Sequence, residues 1–304
     1  LERKNRKNVY FLLLKFLVSG IFLFVVFKKA GVREILSHLT TIKPGYFILA
    51  VLIYIMATYI SAFRWKILLD EDYPVGKLFS LYMIGGFFNN VMPGLIGGDA
   101  VKVYYLYSDT KRGGSSLGSV FMDRYVGFFA MLIIGLIAGV IVFSDLKKIG
   151  MHMAMPVLFI VFILGSIAVF SVRIGRRFSA VSDFYDYFHA FIKKKMIMFR
   201  AFSISVVIQL MAFTMVYIIA AGLGQSLSFG SIAVFMPIIL AVSTIPISIS
   251  GFGVRESAFV VLFGLVGLPP EVAASISFLW FLSIAAASLI GLVEFLRYRK
   301  KSSK

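Results

Sequence analysis

Six apolar stretches, at about residues 9–27, 46–63, 119–143, 154–172, 201–222 and 272–296, are each long enough to cross a hydrocarbon layer as a helix. A layer ~30 Å thick is spanned by ~20 residues at ~1.5 Å rise each. A chain with six such stretches is excluded from the water-soluble globular class. In lipid its backbone must satisfy its own hydrogen bonds, which favours helices. Composition agrees: hydrophobic residues make up 60% and charged ones 15%, against about 45–50% and about 25% in soluble domains. The sequence predicts an all-α polytopic membrane protein. The first span follows a basic run (Arg3, Lys4, Arg6, Lys7) as a signal peptide does. It is long, is followed by Lys28 and Lys29 and lacks a small-x-small cleavage site, so a retained anchor is expected.

Two further apolar regions, 78–107 and 231–266, are broken near the middle by Pro and Gly. Each half is ~14 residues, short for a full crossing. Interrupted backbone at membrane depth is tolerated only where protein or a wet cavity surrounds it. Both regions are therefore expected to be re-entrant helical hairpins. Two amphipathic pieces lie between spans. In 178–199, Val181, Phe184, Tyr185, Phe188, Phe191 and Ile192 fall at helical spacing before Lys193, Lys194 and Lys195, which predicts a helix in the interface plane. Ile35, Leu36, Leu39 and Ile42 form a shorter version.

The order is then span, interfacial helix, span, broken hairpin, span, followed by the same five elements again. This predicts a duplication, with residues 1–150 as the first repeat and 151–304 as the second repeat plus a basic C-terminal tail. Three crossings per half force the second copy upside down, an inverted repeat. Lys and Arg accumulate on cytoplasmic sides of membranes. With both termini inside, only Lys28, Lys29, Arg33, Lys43, Lys147 and Lys148 fall outside, while Lys15, Arg124 and Arg255 lie within apolar segments. The expected location is the cytoplasmic membrane with both termini cytoplasmic. The net charge of +17 then reports anionic lipid rather than nucleic acid as the partner.

The broken hairpins align with each other: PGLIGGDAVK at 93–102 over PISISGFGVR at 246–255. Pro93 meets Pro246, Gly98 meets Gly251, and Lys102 meets Arg255. Paired interrupted segments mark binding sites in transporters, although Gly and Pro are also common in membrane helices for packing alone. A hairpin tip presents the amides and positive dipole end of its second half-helix, a setting that attracts phosphate. Gly97, Gly98, Gly251 and Gly253 permit close backbone approach, and Ser248 and Ser250 add hydroxyl donors.

Six ionisable residues lie in or beside apolar segments: Asp99, Lys102, Asp123, Arg124, Arg255 and Glu256. Each costs ~2.5–3.5 kcal/mol at the bilayer centre unless paired or wetted. Asp99 and Lys102, three apart, share a helix face, whereas Arg255 and Glu256 are adjacent and are expected to point apart. Arg255 beside a helix N-terminus suits a phosphate. For Asp123 and Arg124, structural pairing and a substrate role are equally open. Arg64 and Lys66 flank Trp65 at a membrane boundary, an arrangement typical of an anchor, with Arg64 a headgroup candidate. Asn89 and Asn90 precede the first break and are expected to cap backbone, with Asn90 a substrate candidate.

Catalytic signals are few. GSSLG at 114–118 matches a nucleophile pattern formally, but it is expected in a polar loop between helices rather than at a strand-to-helix elbow. Without cysteine, and with only His38, His152 and His189, no metal site is indicated. No Walker A or dinucleotide fingerprint is present, so no cofactor is expected and ATP-driven transport would need another subunit.

At NNVMPGLIGGDAVKVYYL (89–106), GSVFMDRYVG (118–127) and PISISGFGVRESAF (246–259), the chain resembles the lysylphosphatidylglycerol synthase/flippase membrane-region family. The resemblance covers nearly the whole chain. It implies movement of lipids between leaflets, in the best-known members aminoacylated phosphatidylglycerol and in stand-alone members other lipids, including polyprenyl-linked ones. By motif it implicates Asn90, Pro93, Gly97, Gly98, Asp99, Lys102, Asp123, Arg124, Ser250, Gly251, Gly253, Arg255 and Glu256. After residue 296 only a basic tail remains, so the soluble aminoacyl-transferase domain of two-part members is absent and lysyl transfer is not expected. The expected function is ATP-independent translocation of an anionic, aminoacylated or polyprenyl-linked lipid, and the protein is not expected to be an enzyme. The alternatives are the membrane subunit of a lipid-headgroup transferase, partnered by a separate lipid-modifying enzyme, and a lipid-binding scaffold. Gly-rich spans permit a homodimer.

Overall fold

The computed structural model describes residues 2–69, 71–91, 97–172, 179–245, 247–248 and 250–302, excepting the side chains of 2–14, 172, 179–181, 183 and 299–302. The described residues form helices and no strands. In order they are α1 Glu2–Ala30, α2 Val32–Thr41, α3 Pro44–Ile67, α4 Val75–Val91, α5 Gly97–Thr110, α6 Gly113–Ile141 and α7 Phe143–Lys148. There follow α8 Ala154–Val172, α9 Ser179–Lys193, α10 Lys195–Gly222, α11 Phe229–Thr244, α12 Val254–Gly264 and α13 Pro270–Ser302. Pro44–Ile67, Gly113–Ile141, Ala154–Ser171, Lys195–Gly222 and Pro270–Tyr298 are long and apolar enough to cross a membrane. The first expected span, 9–27, lies within α1, whose early side chains are outside the described residues. The chain is an all-α polytopic membrane protein.

The second expected interruption appears as non-helical backbone between α11 and α12, while the first falls on residues 92–96, outside the described residues; α4 with α5 and α11 with α12 are each in contact. Pro93 and Ile96 of the first tip and Pro246 and Ile249 of the second lie outside the described residues. The interfacial piece 178–199 is shorter than expected. Its helix ends at Lys193, Lys194 leaves helical geometry (φ −79°, ψ 68°), and α10 begins at Lys195. The basic triplet therefore marks a corner between two helices. The GSSLG segment is helical rather than a loop: α6 starts at Gly113, and Ser116 Oγ donates to Arg112 O at 2.7 Å. The helix therefore starts six residues before the apolar stretch expected at 119.

α3, α6, α10 and α13 make the frame, with α4 wedged against α3 and α13 and α11 against α6 and α12. The main core collects Met131, Phe213, Val216, Phe235, Ile239, Phe259, Phe263 and Ile276. Glycine sets two close backbone approaches. A Cβ on Gly291 of α13 would lie 1.9 Å from Met83 O of α4, and one on Gly98 of α5 would lie 1.9 Å from Gly85 O of α4. Without a driving force from water, such contacts are how membrane helices gain dispersion energy. The second contact holds the N-terminus of α5 against α4, where the charged residues gather.

Candidate functional site

Arg64, Asp99, Lys102, Asp123 and Arg124 converge at the junction of α3, α4, α5, α6 and α10. Arg64 Nε donates to Asp123 Oδ1 at 2.8 Å, and Arg64 Nη1 donates to Ser205 Oγ at 2.8 Å. The hydroxyl of Tyr82 donates to Asp123 Oδ2. Lys102 Nζ lies 3.0 Å from Asp99 Oδ1 and 4.2 Å from the Tyr82 ring centroid. Arg124 grips the same carboxylate with two bonds, Nε to Oδ2 at 3.0 Å and Nη2 to Oδ1 at 3.1 Å. Tyr82 thus joins two ion-pair groups into one network.

Burial explains why the pairing is so complete. Arg64 is 5% exposed, Lys102 2% and Asp123 1%. A buried charge without a partner costs several kcal/mol, so each must find one or take the chain elsewhere. Sequence spacing supplies only one pair, Asp99 with Lys102. The others are long-range: α3 delivers Arg64 to α6, and α6 delivers Arg124 to α5. Gly127 makes room for the first, since a Cβ there would lie 2.9 Å from Arg64 Nη1. Arg64 is therefore not a boundary anchor. Trp65 beside it is fully buried, its Nε1 donating to Ser119 Oγ at 3.1 Å.

The hairpin amides are less open than the sequence suggests. Gly98 N donates to Asn89 Oδ1 at 2.8 Å, the capping role expected of Asn89. Asn90 Nδ2 donates to Ser288 Oγ of α13 at 2.9 Å. Gly97 lies partly buried at the start of α5, next to the capped amide.

At the second hairpin, Arg255 and Glu256 do not point apart. Glu256 turns back so that Oε2 accepts from Gly253 N at 2.7 Å, while Oε1 accepts from Arg255 Nε at 3.0 Å and also from Arg255 Nη2. A carboxylate three residues into a helix commonly caps the N-terminal amide, and here this brings it within reach of its neighbour's guanidinium. Ser277 Oγ lies 3.3 Å from Arg255 Nε, and Phe281 and Phe252 face the guanidinium at 4.9 and 5.4 Å. Arg255 is 6% exposed and Glu256 fully buried. Gly251 (φ 78°) and Gly253 (φ 82°) use the left-handed region that glycine adopts without strain. Ser250 enters the same region at φ 50°. Ser248 Oγ is buried with no hydrogen-bond partner among the described residues.

The two ion-pair groups therefore differ in kind. Arg255 and Glu256 of α12 form a closed pair inside the protein, whereas Asp99 of α5 is paired with Arg124 of α6, whose side chain is 57% exposed. Arg124 and Asp99 stand at one end of an open groove of about 620 Å³ between α5 and α6. Tyr82, Ser205 and Ser277 are not singled out by sequence, and Trp65 reads there only as part of a boundary cluster. Aromatic and hydroxyl side chains in apolar helices look like packing until a charge is found beside them.

Fold and site together define a polytopic α-helical membrane protein with a buried ionic network opening on a largely apolar groove. Residues 12–291 match the family described as the lysylphosphatidylglycerol synthase TM region, and the chain belongs to that family. Among its relatives is a UPF0104 membrane protein of Methanothermobacter thermautotrophicus, 23% identical over 98% of this chain and 95% of the relative. Another, of Methanocaldococcus jannaschii, is 22% identical over 95% of both chains. A third, of Pyrococcus horikoshii, is 22% identical over 89% of this chain and 92% of its own.

Proposed function

We propose that the chain moves phosphate-bearing lipids between leaflets without ATP. The observation that carries this reading is the network from Arg64 to Arg124, held among helices long enough to span a membrane and ending beside an open, largely apolar groove. Charged residues at such depth are expensive, and their usual return is a path for a polar group. The matching element orders, α1–α6 and α8–α13, support two inverted halves with α4/α5 and α11/α12 as re-entrant hairpins. In this arrangement both termini are cytoplasmic and the membrane is the cytoplasmic one. The headgroup passes Arg124 and Lys102 while its tails stay in hydrocarbon. Arg255, Glu256, Ser248, Ser250, Gly251 and Gly253 form the corresponding element of the second half.

The test is transbilayer movement of labelled phosphatidylglycerol in vesicles holding the purified chain, without nucleotide, against the Lys102→Ala variant. Movement lost in a variant that still folds supports translocation. Headgroup turnover without movement points instead to a transferase subunit, and binding without either points to a scaffold.

A further inference from the structure

The reading above leaves the headgroup's own charge open, and the network bears on it. Three cations, Arg64, Lys102 and Arg124, face two anions, Asp99 and Asp123, which leaves one positive charge uncompensated. Both carboxylates are engaged. Asp123 holds Arg64 and the Tyr82 hydroxyl, and Asp99 holds Lys102 and two nitrogens of Arg124. An incoming ammonium meets no open carboxylate in this network. The donor side is different. A guanidinium carries five N–H groups, and Arg124 Nη1 donates to no described residue while its side chain is 57% exposed.

The groove itself is apolar. Apart from Asp99 and Arg124 it is lined by side chains such as Val103, Tyr104, Tyr107, Leu117 and Phe121, and it ends near Gly113. Gly113 and Arg124 both lie on α6, about 16 Å apart at 1.5 Å per residue. The volume of about 620 Å³ is that of a ligand site rather than a packing crevice.

We infer that the α5–α6 groove takes one hydrocarbon chain of a lipid whose phosphodiester is held by Arg124, and that the site selects net-anionic headgroups over aminoacylated, net-cationic ones. That this lipid is cargo rests on the translocation reading; that it binds here does not. A monoanion neutralises the odd positive charge, whereas a cationic headgroup adds like charge where little water screens it.

The test is photolabelling in vesicles of phosphatidylcholine containing the full chain. The probes are phosphatidylglycerol, lysyl-phosphatidylglycerol and phosphatidylcholine, each with a diazirine on one acyl chain. Labelled peptides are mapped, and transbilayer movement is measured in parallel. Phosphatidylglycerol should label residues 103–121 about tenfold more than either other probe, because all three carry the phosphodiester but it alone brings no cation of its own to the positively charged site. Arg124→Ala should abolish the preference. Leu117→Trp, which fills the groove at an exposed position without touching the ion pairs, should abolish the labelling itself. Equal labelling by all three probes, stronger labelling by the lysyl ester, or labelling spread over every lipid-facing helix overturns the inference. If phosphatidylglycerol moves but labels elsewhere, the site is wrong and translocation stands. If it labels here without moving, the site stands and translocation fails.

Discussion

Truncating Asp123 to alanine strips Arg64 of its counterion inside the protein. The Asp123 side chain is 1% exposed and that of Arg64 6%, with Nε and Oδ1 2.8 Å apart. Removing one partner of such a pair costs about 3–5 kcal/mol, because the other charge stays buried. Tyr82 also loses its acceptor, adding about 1 kcal/mol. The bond from Arg64 to Ser205 remains and does not replace a negative charge. Removing both charges, in Arg64→Met with Asp123→Leu, should recover most of the loss, since apolar replacement of a buried pair is commonly neutral or favourable. A double-mutant cycle on Arg64→Met and Asp123→Leu should therefore show a coupling of at least about 3 kcal/mol, since each single substitution carries a loss that the double avoids. The assay is reversible unfolding in mixed micelles, followed by near-ultraviolet circular dichroism. A cost below about 1 kcal/mol for Asp123→Ala, or strict additivity in the cycle, would mean that water reaches this pair and the network does not hold the helices together.

Gly98→Ala places a methyl 1.9 Å from the Gly85 carbonyl oxygen and should cost at least about 1–3 kcal/mol, read as loss of monodisperse protein on size exclusion; Gly20→Ala, with nothing within 4 Å, is the matched control and should be neutral. Glu256→Ala orphans both the Arg255 guanidinium and the Gly253 amide and should cost about 3–5 kcal/mol, against about 1 kcal/mol for Ser277→Ala. Thermal unfolding orders the two, and equal losses would contradict the pairing. In the connector before α4, burial and the hydrogen bond to Asp109 hold the Tyr73 phenol well above its ordinary value. Its contribution to stability is therefore complete below about pH 10 and is lost above it as the unfolded chain ionises first. Phenolate absorbance should show Tyr73 ionising after the exposed tyrosines, and removal of that late step by Tyr73→Phe checks the assignment.

Hydropathy locates α3, α8, α10 and α13 because a long apolar run has few alternatives in lipid. The same logic misplaces the ends of α6 and α9: α6 begins at Gly113 in a polar Gly/Ser segment, and α9 stops where Lys194 leaves helical geometry. Asp99, Lys102, Asp123 and Arg124 are legible as charges out of place. Their partners are not legible, since Asp123 meets Arg64 from another helix and Arg124 meets Asp99 across the α5–α6 contact. Arg64 reads as an anchor because Trp65 and Lys66 beside it fit a membrane boundary, whereas its burial and its contacts with Asp123, Gly127 and Ser205 show that it is inside. Glu256 carried a signal that could have been used: a glutamate three residues after Gly253 fits an N-terminal cap. The adjacent Arg255 drew the phosphate reading instead. Its burial and its pairing with Glu256 and Ser277 direct attention to Arg124, which is more exposed.

The central claim is tested most directly by a quencher-accessibility assay on vesicles containing the chain alone and head-labelled phosphatidylglycerol in both leaflets, with no nucleotide present. The account predicts that the inner-leaflet pool, protected in protein-free vesicles, becomes accessible at a rate set by the protein, and that Lys102→Ala returns it to the protected state. An inner pool that stays protected beside folded wild-type protein would contradict it.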